Sequence, residues 1–230
     1  MSTRFLLRMR LAVLFAVLAA LTTAVRASRS GLNNVPNADV AAAGTGAVQA
    51  YSTFGGNRKP SFLDEVRLGF APAGEKIEVG FDTRYKPGKA APVFLNAKWV
   101  ASRWDKTLPA FAIGVASLAP RSQDRDRRGP PQSCGVFTHD AGGARLHTGW
   151  AAQRRNNAMF LGLERVWVIQ GRKLRLRTDG IEIQDAGQWL GSVGFTFPLT
   201  GSLTMELWQS KPAESGKAYA NFKLGCSFKR

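Results

Sequence analysis

Two histidines, His139 and His147, flank the turn formers Gly142-Gly143. A three-residue turn over 142–144 sets the two rings face to face across a hairpin, where paired imidazoles can hold a metal or respond to acid. No carboxylate or cysteine at ligand spacing completes a set around them, so polar filler is expected there and no metal or other cofactor. The carboxylates Glu78 and Asp82 have Arg67 and Arg84 available on the same side, which favours ion pairing over acid–base work. There is no G-x-S-x-G elbow, no phosphate loop and no zinc knuckle. The chain therefore does not read as an enzyme. One basic stretch, RSQDRDRRGPPQ, places Arg121, Arg125, Arg127 and Arg128 where forked donors could grip lipopolysaccharide phosphates or an acidic glycan. A merely solvated loop is the plainer account of the same residues.

What positions such residues is a set of long alternating strands. In KIEVGFDTRY, residues 76–85, the residues Ile77, Val79, Phe81, Thr83 and Tyr85 share one face. Lys76, Glu78, Gly80, Asp82 and Arg84 share the other, because successive strand side chains point to opposite sides. The apolar–glycine–apolar triplet at its centre recurs: Leu68-Gly69-Phe70, Ile113-Gly114-Val115, Leu161-Gly162-Leu163, Val193-Gly194-Phe195 and Leu224-Gly225-Cys226. Thr148-Gly149-Trp150 is a variant of it. Small and charged inside with apolar residues outside is the pattern of a transmembrane β-barrel. On that pattern Glu65, Arg67, Glu78, Asp82, Arg84, Lys98, His139, Arg145, His147, Glu164, Arg175, Arg177, Asp179, Glu206 and Lys223 face the lumen. Both signs are present, so pairing within a mostly filled lumen is expected ahead of an open ion path. Cys134 and Cys226 both fall on outward positions of distant strands, which predicts free thiols rather than a disulfide.

Residues 1–27 have the layout of a signal peptide: Arg4, Arg8 and Arg10, the apolar run LAVLFAVLAAL, then Val25-Arg26-Ala27. Removing its four arginines lowers the formal charge from +16 to +12. The excess suits acidic glycans or lipid phosphates, and export argues against nucleic acid. Residues 28–46 read as an irregular periplasmic lead-in, a loop or plug-like, and 47–230 as the barrel. About twelve strands are expected, within ten to fourteen, with short turns alternating with long loops. Tyr85, Trp99, Trp104, Trp150, Trp167, Trp189 and Trp208 lie near strand ends, as interfacial girdles require. The last strand ends in Phe228-Lys229-Arg230, near the terminal aromatic that barrel-assembly machinery reads.

The run Gly31-Leu32-Asn33-Asn34-Val35-Pro36-Asn37-Ala38, followed by Gly44 and a strand, resembles the G-L-x-x-x-P-x-A…G opening of YjbH-type outer-membrane proteins. Those proteins are associated with exopolysaccharide and are considerably longer. The rest of the mature chain is similar in style to small Gram-negative outer-membrane barrels. The resemblance implies an outer-membrane location and contact with envelope polysaccharide. The expected protein is thus an all-β, closed antiparallel transmembrane barrel, porin-like, structural or serving passage or anchoring of small solutes or envelope glycans. Lipid, lipopolysaccharide and the assembly machinery are its expected partners. The competing architecture is a soluble periplasmic or secreted β-sandwich that binds anionic glycan or lipid phosphate.

Overall fold

The computed structural model describes residues 35–55, 61–85, 93–102, 108–118, 132–153, 157–183, 188–213 and 216–229. The signal segment, the arginine-rich loop and Trp104 lie outside them, as do the side chains of Arg84 and Tyr85. These residues form twelve strands: β1 (Thr45–Gly55), β2 (Ser61–Phe70), β3 (Lys76–Tyr85), β4 (Val93–Ser102), β5 (Ala110–Leu118), β6 (Gln132–Ala141), β7 (Ala144–Gln153), β8 (Asn157–Ile169), β9 (Arg172–Ile183), β10 (Gln188–Pro198), β11 (Leu203–Pro212) and β12 (Tyr219–Lys229). Each pairs antiparallel with its neighbours in sequence, and β1 pairs with β12, from Thr45↔Lys229 to Gly55↔Tyr219. The sheet closes on itself and leaves no free edge. Among the described residues no second sheet covers its apolar face, and the closed barrel replaces the sandwich alternative.

Strands of this length, at ~3.4 Å per residue and a tilt of about 40°, span a wall roughly 25 Å tall. The apolar face points out: Phe81 is 45% exposed, Val193 48% and Leu161 57%. Glu78, Lys98, Glu164, Arg177 and Glu206 on the opposite face are buried. Wherever an apolar triplet occurs, its glycine lies on the inner face, and space explains several of them. A Cβ at Gly194 would strike Trp208, one at Gly149 the Phe160 ring, and one at Gly69 the carbonyls of Ala41 and Ala42.

The two ends differ. Both termini of the barrel share one end with the connections 71–75, 103–109, 142–143, 170–171 and 199–202, two of which are two-residue turns, and the longest connection, 119–131, lies at the other end. Between β6 and β7 the turn has two residues, Gly142 (φ 56°) and Gly143 (φ 90°), with Ala141 opposite Ala144. Positive φ at both positions is the type I′ geometry that fits a twisted hairpin. The expected three-residue turn is therefore wrong by one, and a slip of one residue turns a whole strand over. Gln170-Gly171 (φ 50° and 74°) makes the same turn between β8 and β9.

Residues 35–44 do not stay outside the barrel. From Thr45 they run up inside it, with Val35, Asn37, Ala38, Val40 and Ala41 buried. Val35, Ala38 and Val40 pack with Val100, Ala110, Ala112, Val136 and Phe160 in the barrel's apolar core.

Candidate functional site

The lumen is the candidate site, built from alternate residues of nearly every strand. On the β7–β12 side an ion-pair chain follows the wall. Arg145 Nη1 lies 3.5 Å from Glu164 Oε1, and Glu164 Oε2 meets Arg175 Nη1 at 3.3 Å and Arg177 Nε at 3.5 Å. Arg177 Nη1 then reaches Glu206 Oε2 at 2.5 Å, and Glu206 Oε1 meets Lys223 Nζ at 3.0 Å. Cross-strand register sets the contacts: Arg145↔Glu164, Glu164↔Arg177 and Glu206↔Lys223 are directly opposed, where opposite charges attract most strongly. Next to them the Ser192 hydroxyl donates to Asp179.

On the β2–β4 side Arg67 pairs with Glu65 and lies 3.8 Å from Glu78. Lys98 stands opposite Glu78, and Asp82 opposite Glu65. Between β4 and β7 the described wall carries one charge, Asp140 at the turn end of β6, bonded to Arg145 Nε at 2.9 Å, and there the N-terminal segment fills the gap. Lys98 Nζ donates to the Asn37 carbonyl at 3.0 Å. The Ala38 amide donates to Thr138 Oγ1 at 2.9 Å. Arg145 forks onto Asp39, Nη1 to Oδ2 at 2.6 Å and Nη2 to Oδ1 at 2.9 Å. The Ala41 amide donates to Glu78 Oε2 at 2.7 Å. A cavity of about 200 Å³ remains beside the segment, between Pro36 and the cluster of Glu65, Arg67, Glu78, Asp82 and Lys98.

Of the fifteen residues expected to line the lumen, thirteen are placed there by register. Arg84's side chain is outside the described residues, and His139 points the other way. His139 pairs with Leu146 on the outer face, whereas His147 is inside, opposite Thr138, with Nδ1 2.9 Å from Thr138 Oγ1. The two imidazoles cannot share a metal. The same slip turns Cys134 inward, against Gly114 and the cavity, while Cys226 stays outward. Both cysteines are free. Among the described residues no group of His, Cys, Asp and Glu suits a metal ion.

Trp208 also departs from expectation. It is 5% exposed inside the barrel, its ring 5.3 Å from that of Tyr51, near a hydrogen-bonded cluster of Thr53, Asn221 and Ser210. The girdle tryptophans that remain divide evenly. Trp99 (bonded to Glu75) and Trp167 (beneath Arg165) mark the turn end, and Trp150 and Trp189 mark the loop end. Asp39, Asn37, Thr138 and Asn221 carried no strand-pattern signal of function. Asp39, the carboxylate within the lead-in, was the one available hint.

No protein-family model and no curated sequence matches the chain. Similar solved structures exist. The KdgM porin in complex with disordered oligogalacturonate superimposes with a TM-score of 0.52 at 4% identity, over 80% of this chain and 99% of that one. A membrane protein from work on in-meso crystallization gives 0.54 at 9% identity, over 80% and 84%. At such identities the likeness is one of fold, a closed antiparallel β-barrel.

Proposed function

We propose that the chain, exported by residues 1–27, is an outer-membrane barrel of a Gram-negative bacterium that offers small polar solutes a narrow passage, closed at rest. The observation that carries this reading is the reversal of sides, with apolar residues exposed outward and paired charges buried inward. Water would not tolerate that exterior, whereas hydrocarbon covers it at no cost and demands a closed sheet. The tryptophans at both rims, together spanning a band roughly 25 Å tall, support the same placement. The fold likeness to a porin supports passage, and oligogalacturonate is KdgM's own ligand. The outward-facing loops and rims would meet lipopolysaccharide. The opening that resembles YjbH-type proteins makes envelope polysaccharide a further partner to test.

Fractionation and conductance test the reading together. The protein should stay with outer-membrane fragments through a carbonate wash and migrate differently unheated and boiled. In planar bilayers it should show rare openings. Release by carbonate would overturn the membrane placement.

A further inference from the structure

The wall groups that hold the N-terminal segment are those that would bind a carboxylate from solution. Arg145 presents both terminal nitrogens to Asp39, the parallel two-bond geometry by which a guanidinium recognises a carboxylate. Lys98 donates to the carbonyl two residues earlier, and Thr138 takes the amide between them. A carboxylate with a second acceptor close by satisfies Arg145 and Lys98 in the same way. The 200 Å³ cavity touches this seat at Pro36 and Lys98, away from the Asp39–Arg145 fork.

We propose that residues 35–44 are a displaceable plug that occupies a carboxylate-binding site of the lumen with its own Asp39, and that small carboxylated solutes open the passage by taking Asp39's place on Arg145. This rests on the passage reading above. Burial of Val35 and Val40 keeps the plug seated in the absence of solute, and the polar latch gives the solute something to compete for. A ligand shifts such an equilibrium only by its differential affinity for the two states, and here only the open state gives up Asp39 and offers Arg145's two terminal nitrogens to the ligand, with Asp140 on Nε and Glu164 beside Nη1 in both states.

The test is single-channel recording of the refolded mature chain, with folding verified by heat-modifiable mobility. Succinate is the probe, with butane-1,4-diol and sodium chloride of equal ionic strength as controls. Asp39→Asn should open about tenfold more often than the native chain, a ~1.4 kcal/mol change in the closed–open equilibrium. Succinate should open the native chain and the controls should not. Arg145→Gln should be open already and unresponsive to succinate. An Asp39→Asn channel as quiet as the native one, or succinate acting like the controls, overturns the proposal. Deleting residues 35–43 separates the two ideas. If that deletion conducts while the other arms are silent, the latch alone is wrong. If it does not conduct, passage itself is wrong and the latch falls with it.

Discussion

Arg177 Nη1 and Glu206 Oε2 are 2.5 Å apart, and each residue is 1% exposed. No water competes for the pair, so it differs from a surface salt bridge of negligible worth. Removing one partner leaves a buried charge, which costs about 3–5 kcal/mol. Arg177→Met takes the shared cation from Glu206 and Glu164 but leaves Lys223 on the first and Arg145 and Arg175 on the second, so it should lower barrel stability by about 3 kcal/mol, the low end of that range, in urea unfolding followed by heat-modifiable mobility. Glu206→Gln keeps an acceptor for Arg177 and should cost less, about 1–2 kcal/mol. Raising salt should change neither difference much, because buried pairs are poorly screened.

The outer face makes a separate demand. Phe81 lies mid-strand on the apolar side, and Asn96 lies on the inner side of the next strand, by the cavity. An arginine at a bilayer midplane costs about 2–4 kcal/mol in a barrel wall. Phe81→Arg should therefore unfold from lipid vesicles at lower urea by that margin. Asn96→Lys faces Glu78 and Asp82 and should cost less than ~1 kcal/mol. Equal effects would mean that lipid does not cover Phe81.

The strand faces were legible because lipid imposes period-2 alternation with no second protein layer to blur it, as residues 76–85 show. Strand number followed, since each strand ends in a recognisable turn. What the alternation could not supply was turn length. One residue between Gly142 and Ala144 decides the orientation of all of β6, and that single slip accounts for both the misplaced His139 and the misplaced Cys134. Trp208 failed for another reason. It shares a face with Glu206 two residues earlier, but an aromatic near a strand end signals a girdle equally well. Only the bare Gly194 beside it makes the inner position roomy enough. The N-terminal segment has no period at all, so its path through the lumen rests on tertiary contacts.

The register of β6 can be checked with the protein's own thiols. Cys134 lines the lumen cavity, whereas Cys226 is 8% exposed on the outer face. A charged, water-soluble methanethiosulfonate should label Cys226→Ser, in which Cys134 remains, and leave Cys134→Ser unlabelled. Mass spectrometry of reconstituted vesicles reads the outcome. The reverse pattern would return β6 to the register in which Cys134 faces lipid.

Gly69 offers the sharpest handle on the N-terminal segment. Its inner side is pressed by the carbonyls of Ala41 and Ala42, and its own carbonyl accepts from the Gly44 amide at 3.2 Å. Backbone cannot yield as a flexible side chain would, so even a methyl group there must displace the segment. At Gly80, opposite Arg67 in the same hairpin, an added Cβ would meet its nearest neighbours at 3.4 to 3.7 Å, ordinary contact. Alanine is compatible with an extended backbone at both positions, so the barrel itself should close in both variants. Gly69→Ala should expose residues 35–44 to proteinase K and raise their cleavage about tenfold, as expected when ~1.4 kcal/mol is lost from the seated state. Gly80→Ala should cleave at the native rate. If the two variants are cut alike while both keep heat-modifiable mobility, the segment is not held in the lumen by its seat on Gly69.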